Sequence, residues 1–404
     1  MKRRSIASFM AGQSFALIGV WMHLTMLSWL TLRLLDSSLW LGVTLAVYSL
    51  PTLLFSWGIG ILIERVSSRT ILMWTQSLNI LISLSYAGLL AMDRLDSSHI
   101  LVLSFLAGTV YAIDLPCKQL LLTRLFGDDR MMQAIAFNSV LFNSARIAGP
   151  LLSSAILIHW GMEQGFIINA CFYGAGLCCM IRLQSVRRQA IEPLSGDKNA
   201  QGLAFIRSHP EILRILLIVL VFGLLLMNYN TLLPVYTRSQ LNLGEAGYGM
   251  LLASMGAGSL AAAVLIALKN QWFQRVYLIP LFPGIIAVLY AVLPIISQYR
   301  LLLPIFVIYG FCTTGFITAS NTLVLQIGEP KARARIASTY NMMLNGFAPL
   351  GNLISGISLH VFGIAASFYW ISSLVIGFLA GWVRLSRTKG GDAKALALRS
   401  SLKK

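Results

Sequence analysis

The chain has 404 residues, of which 57% are hydrophobic and only 11% charged, with a mean hydropathy of +0.76. Soluble domains carry about a quarter of their residues as charges, so this composition excludes a soluble globular protein and points to an integral membrane protein. The formal charge of +17, from 31 Lys and Arg against 14 Asp and Glu, raises the question of a nucleic-acid partner, and the positions of the bases answer it below.

Crossing a bilayer as a helix takes about 20 apolar residues. Such runs fall at 10–32, 42–63, 70–92, 99–123, 134–160 and 164–183, and again at 211–236, 247–268, 276–297, 301–325, 337–360 and 363–384. They are long and continuous rather than alternating, which predicts helices and not barrel strands. The opening MKRRSIASFMAG has the charged start of a signal peptide. Its apolar run continues through Trp21 and Trp29 with no small-residue cleavage site, so the first run reads as an uncleaved helix. With both termini on the cytoplasmic side, 25 Lys and Arg fall in inner segments, four (Arg33, Arg94, Arg238, Arg300) in outer loops, and Lys118 and Arg146 inside spans. That bias predicts a multi-pass protein of the plasma membrane, a bacterial inner membrane, with both termini cytoplasmic; it accounts for the basic excess with no nucleic acid.

The stretch between the sixth and seventh runs, LQSVRRQAIEPLSGDKNAQGLAFIRSHPE, is the longest polar segment. It predicts a six-helix half over 1–183, a cytoplasmic linker over 184–210, a second six-helix half over 211–384 and a basic cytoplasmic tail over 385–404. A weak internal repeat agrees: MMQAIAFNSVLFNSARIAGPLLSSAILIHWG in the first half answers ARARIASTYNMMLNGFAPLGNLISGISLHVFG in the second, pairing Asn138 with Asn341. Parallel repeats of six helices build the major facilitator fold, in which a small-molecule site lies between the halves near mid-membrane. The five cysteines all lie in apolar segments at no metal-binding spacing, so no metal is expected. There is no G-x-x-x-x-G-K-[ST] loop, so no nucleotide and no other cofactor is expected, nor an enzyme. The chain is expected to act as a monomer in the lipid bilayer.

The segment GIGILIERVSSRTIL places Gly60, Leu62, Glu64, Arg65, Arg69 and Leu72 on the pattern G-x-L-a-D-R-x-G-R-[RK]-x-x-L, and so resembles the loop signature of the major facilitator superfamily. The resemblance implies an acid-arginine cluster at inner helix ends that holds a gate, although Glu64 replaces the usual Asp and Ser67 and Ser68 replace a Gly and an Arg. NSARIAGPLLSS resembles the Gly-Pro signature of facilitator antiporters, with Ala145, Gly149, Pro150 and Ser153 in register. On physical grounds 145, 149 and 153 form one small-residue stripe that admits a close neighbour, and Pro150 frees the carbonyl of Arg146, predicting a bend. With AIDLP, GFIINACFYGAG and LLPVYTRSQLNLGEAGYGMLLASMGAGSL, the chain resembles the drug and siderophore exporter branch of that superfamily, which includes macrolide efflux proteins and the enterobactin exporter. The likeness is good from helix 2 to helix 8.

A charge at the centre of a membrane helix costs roughly 2.5–3.5 kcal/mol on insertion scales and is functional by default. Asp114 is the one acid deep in a span, and Lys118 lies one turn further along the same face. Arg146, about 21 Å into the fifth helix at 1.5 Å per residue, overlaps its depth. Two readings follow: a carboxylate that exchanges protons as its base comes and goes, or a fixed pair of Asp114 with Arg146 that orders helices 4 and 5. One acid against two bases leaves the site positive, which suits an anionic substrate. His23, Asn138, Asn143, Asn230 and Asn341 are candidates to line the cavity, and Pro234 predicts a bend in helix 7. The function expected is secondary active export of an amphipathic small molecule, a siderophore or drug, by proton antiport. The alternative is a facilitator-type importer or lysolipid flippase.

Overall fold

The computed structural model describes residues 2–126, 131–182, 209–273, 275–327 and 333–388, and the structured elements are helices throughout. The first half consists of α1 (Lys2–Leu35), α2 (Ser38–Arg65), α3 (Ser68–Ala91), α4 (Ser97–Phe126), α5 (131–160) and α6 (162–181). The second consists of α7 (Pro210–Ser239), α8 (Glu245–Leu268), α9 (Leu278–Ile295), α10 (Tyr299–Ile327), α11 (333–362) and α12 (364–388). In lipid only the helix satisfies every backbone group internally, so the polar side chains that cap helices sit at their ends. Ser37 accepts from the Trp40 amide at 3.4 Å, Ser67 from Thr70 at 3.1 Å and Asp96 from His99 at 2.9 Å.

Among the described residues nine helical segments are long and apolar enough to cross a membrane. Two of them, Phe137–Ile181 and Ile336–Arg384, each hold two crossings, because they break at Gly161 (φ 83°, ψ −179°) and Gly363 (φ 76°, ψ −179°). Only glycine adopts that backbone conformation without strain. The two glycines close the two copies of the internal repeat, HWG and HVFG, so one sequence relation yields the same turn twice. The remaining crossing, α3, is diluted by buried Thr75, Gln76, Asn79 and Ser83. The helices are thus consistent with twelve crossings, which puts both termini on one face.

The breaks in helical backbone do not fall at the prolines. α5 runs regularly through Pro150 and breaks only at Gly161. In α7 the helix Tyr229–Ser239 passes through Pro234, and the irregularity lies earlier, in a π-helical turn at Phe222–Leu226. There the carbonyl of Leu226 accepts from the hydroxyls of Tyr309 and, at 3.4 Å, Tyr290. A second π turn, Met342–Gly346, interrupts α11, and a methyl on Gly223 would strike the backbone of Met343 and Leu344. The two irregular turns therefore pack against each other, and side-chain hydroxyls from α9 and α10 supply a bond the broken ladder lacks. Of the expected linker, residues 183–208 lie outside the described residues and α7 begins at Pro210; of the expected tail, 389–404 lie outside them and α12 runs on to Thr388.

Close helix contacts recur at matched places in the halves. A methyl at Gly108 on α4 would land on the carbonyl oxygen of Tyr48 on α2; one at Gly310 on α10 would land on that of Met255 on α8, and one at Gly258 on that of Val307. Such sites tolerate no Cβ, and overpacking costs about 1–3 kcal/mol. Gly108→Ala and Gly310→Ala are each expected to lower the melting temperature of the purified protein in detergent, whereas Gly88→Ala, with open space around it, is expected to leave it unchanged.

Candidate functional site

Helical spacing places Asp114 and Lys118 on one face of α4, and folding buries both, at 3% and 5% exposure. Lys118 Nζ pairs with Asp114 Oδ2. The other oxygen, Oδ1, accepts from Thr75 Oγ1 at 2.7 Å and Gln76 Nε2 at 3.4 Å, both on α3. Asp114 is the only buried acid among the described residues, and its partners all come from the first half. It lies twelve residues before Phe126, about 18 Å from the terminal-face end of α4. The carboxylate thus has one ammonium and two neutral donors as partners, and without Lys118 it would keep the neutral donors alone.

Arg146 does not join this cluster. It is 8% exposed, and its Nη1 donates to Ser259 Oγ at 3.1 Å and its Nη2 to the Tyr229 hydroxyl at 3.2 Å. Its guanidinium carbon stands 5.4 Å from the centre of the Trp21 ring and 5.3 Å from that of Tyr229. The fixed Asp114–Arg146 pair is therefore not formed. The physical reason is the face on which Arg146 sits: α5 packs against α8, with a methyl at Gly256 striking Ile147 and the Arg146 backbone, and this turns residue 146 toward the second half. Arg146 is a cation held between aromatic rings at the seam of the two halves.

Further polar contacts across that seam lie toward the face opposite the termini. Trp29 Nε1 donates to Glu245 Oε1 at 2.7 Å, and the Trp29 ring stacks on Tyr248 with centroids 5.8 Å apart. Arg238 pairs with Asp36 at 3.0 Å and donates to the Leu32 carbonyl at 2.6 Å. Asn352 Nδ2 reaches the Leu45 carbonyl and Ser49 Oγ, both at 3.3 Å, while its Oδ1 accepts from Thr231 at 3.0 Å. A methyl at Gly42 would come within 2.7 Å of the Asn352 oxygen and of the Gly356 Cα. The exposed Arg238–Asp36 pair is worth about 1 kcal/mol or less, and the Trp29–Glu245 bond about 1.5–3 kcal/mol. Contacts of that size close one end of the seam and are still reversible. In the half of the spans nearer the termini Asn341 is exposed and Asn138 is half-buried, and amides open to solvent there suit an opening between the halves toward the terminal face; Asn230, also half-buried, lies instead toward the opposite end of α7, next to Thr231.

The remaining expected site residues divide. Asn138 accepts from Gln13 Nε2 at the cavity side. Asn143 does not line the cavity: it is buried and donates to the Ser139 carbonyl of its own helix at 2.8 Å. His23 does not line it either, being 4% exposed and enclosed by the rings of Tyr48, Tyr86 and Phe166. In the small-residue stripe Ala145 and Ser153 are buried and Gly149 is pressed on Trp21 and Met22 of α1; Pro150 is buried as well. In the loop signature the surroundings of Gly60 and the side chain of Glu64 lie outside what is described, and Arg65 is exposed. Arg69 donates to the carbonyls of Met180 and Ile181 at 3.3 and 2.7 Å, capping α6 within the first half.

Sequence reasoning missed Thr75 and Gln76 as partners of Asp114, and Glu245, Asp36 and Arg238 as seam contacts. The first omission had a signal: Thr75, Asn79 and Ser83 recur at helical spacing in α3 and mark a buried polar face. The second had none, because those residues are ordinary loop charges until two halves are brought together.

Comparisons with known proteins follow the same line. A model of the transmembrane secretion effector family matches residues 2–402. The staphyloferrin A transporter of Staphylococcus aureus is 23% identical over 89% of this chain and 91% of its own length. Macrolide efflux protein A of Streptococcus pyogenes is 20% identical over 91% and 92%. Among solved structures, a bacterial homologue of the lysosomal transporter Spinster, inward-facing and unoccupied, superposes with a TM-score of 0.76 at 12% identity, over 95% of this chain and 97% of that one. That last likeness is one of fold.

Proposed function

We propose that this chain, which belongs to the transmembrane secretion effector family of the major facilitator superfamily, is a secondary active exporter that moves an amphipathic small molecule, a siderophore or drug, outward in exchange for protons. The observation that carries the reading is Asp114: it is the one buried acid among the described residues, it is paired with a base on its own helix, and it lies toward the terminal face. The excess of Lys and Arg on the terminal side makes that face cytoplasmic. The closed end of the seam is then the outer end, and the described conformer is one that loads from the cytoplasm. Proton binding at Asp114 weakens its hold on Lys118, and the two halves exchange access about the seam. The two curated relatives, a staphyloferrin A transporter and a macrolide efflux protein, support the substrate class. The protein acts as a monomer in the bacterial inner membrane, and needs no cofactor.

The test is a deletion strain. Loss of the gene is expected to raise intracellular retention of the strain's own siderophore, or its susceptibility to members of a drug panel, and the plasmid-borne gene is expected to reverse this. Unchanged retention and unchanged susceptibility across the panel, or substrate uptake in place of release, would overturn the proposal.

A further inference from the structure

Arg146 poses a problem that the proton site does not solve. It is a guanidinium buried in the middle of the spans, at the seam, and no carboxylate among the described residues lies within ion-pair distance of it. Asp114 is engaged by Lys118, Thr75 and Gln76. The other described acids whose side chains the structure places, Asp36, Asp93, Asp96, Glu163, Glu211 and Glu245, stand at helix ends or in the loops between helices. Arginine remains charged in any protein setting and carries five donors in a planar fork. Two of its nitrogens are used here, each on a neutral hydroxyl, Ser259 and Tyr229. Beside it the Trp21 Nε1 is also buried and has no partner. Around these donors the walls are aromatic: Trp21 and Tyr229 flank the guanidinium, and Phe142 lies edge-on to Trp21 at 5.6 Å.

A buried cation with spare donors, an unpaired indole N–H and ring walls is complementary to an anion with a flat apolar body. We propose that the seam around Arg146 is the recognition site for a carboxylate on the transported molecule, with the carboxylate on the guanidinium and the aryl or similar planar body against Trp21 and Tyr229. The assignment rests on the transport reading above and names the class of molecule carried. The hydroxyls of Ser259 and Tyr229 belong to the second half, while Arg146 and Trp21 belong to the first. The ligand would therefore touch both halves, as a carried molecule must. Arginine suits this role better than lysine because its fork meets both carboxylate oxygens.

The probe is 2-naphthoate, compared with its neutral isostere 2-naphthamide, titrated into the purified full-length protein in nanodiscs and followed by equilibrium dialysis. The wild type is expected to bind the acid at least about 10-fold more tightly than the amide, a margin ordinary for a charge-assisted bidentate pair. Arg146→Gln is expected to bring that ratio close to one. Arg146→Lys, which keeps the charge and loses the fork, is expected to fall between. Equal binding of acid and amide by wild type, binding of neither, or a ratio unmoved in a folded Arg146→Gln protein would overturn the assignment. So would binding of lysophosphatidylglycerol in place of naphthoate, lost in Arg146→Gln, since that would give the anion site to a lipid. The two readings fail separately: a deletion strain that retains only neutral or cationic compounds would keep the exporter and reject the carboxylate site, whereas unchanged retention of every compound would reject the transport reading.

Discussion

Asp114→Asn is expected to lower proton-driven transport roughly 100-fold, the scale on which loss of an essential proton-transfer group acts, while substrate counterflow without a proton gradient persists. The geometry explains both halves of that result. Asparagine fills nearly the same space, but it cannot take up a proton. It also leaves the Lys118 ammonium, 5% exposed, without its counter-ion. Breaking a buried pair from one side costs about 3–5 kcal/mol, whereas removing both members is often neutral. The single variant is therefore expected to be less stable, and the double variant Asp114→Asn, Lys118→Met is expected to recover the melting temperature without recovering proton coupling. Everted vesicles with an imposed pH gradient measure the first quantity and thermal unfolding in detergent the second. A double variant that recovers proton-driven transport along with stability would show that Asp114 and Lys118 are an ordering pair only.

The second large effect concerns the closed end of the seam. Gly42→Val, or Gly356→Val, is expected to stop transport by preventing α2 and α11 from meeting at the closed end of the seam. A methyl at Gly42 already comes within 2.7 Å of the Asn352 oxygen and the Gly356 Cα, and a valine adds two more carbons. Overpacking of about 1–3 kcal/mol, acting on one conformer only, changes the balance of two states by roughly 5- to 150-fold. The contacts that would resist are of similar size, since the Arg238–Asp36 pair is half in solvent. The readout is a cysteine at the fully buried Ser28, in a background where the five native cysteines are replaced. A membrane-impermeant maleimide is expected to label it slowly in the parent and about 10-fold or more faster with Gly42→Val, in keeping with that shift. Unchanged labelling together with intact transport would show that the close glycine approach plays no part in closing the seam.

How legible the site was depends on which residues are considered. Asp114 and Lys118 announced themselves, because a charge in a hydrophobic run is visible without any fold and their four-residue spacing already places them on one face. Arg146 was equally visible, but its partners were not. Depth along a helix can be counted from sequence, whereas rotation about the helix axis is set by what the helix packs against; α5 turns Arg146 onto Ser259 and Tyr229 and away from Asp114. The same limit explains His23 and Asn143, polar residues in spans that face, respectively, a ring cluster and a carbonyl of their own helix. The missing amides at Pro150 and Pro234 leave the helical assignment unbroken, whereas the irregular backbone falls at Gly161 and at Phe222–Leu226, where glycine or neighbouring tyrosine hydroxyls accommodate it.

By itself the amino-acid order was enough for the membrane environment, the helical class and the placing of the apolar runs. All of these follow from one-dimensional quantities: the length of apolar runs, the side on which bases gather, and a repeat that ends twice in glycine. The seam contacts from Trp29, Asp36, Arg238 and Glu245, and the partners and aromatic setting of Arg146, came only from the packed molecule. They join residues 83 to 216 positions apart, and such contacts depend on the rotation and crossing of helices, which packing of both halves decides and no local pattern encodes.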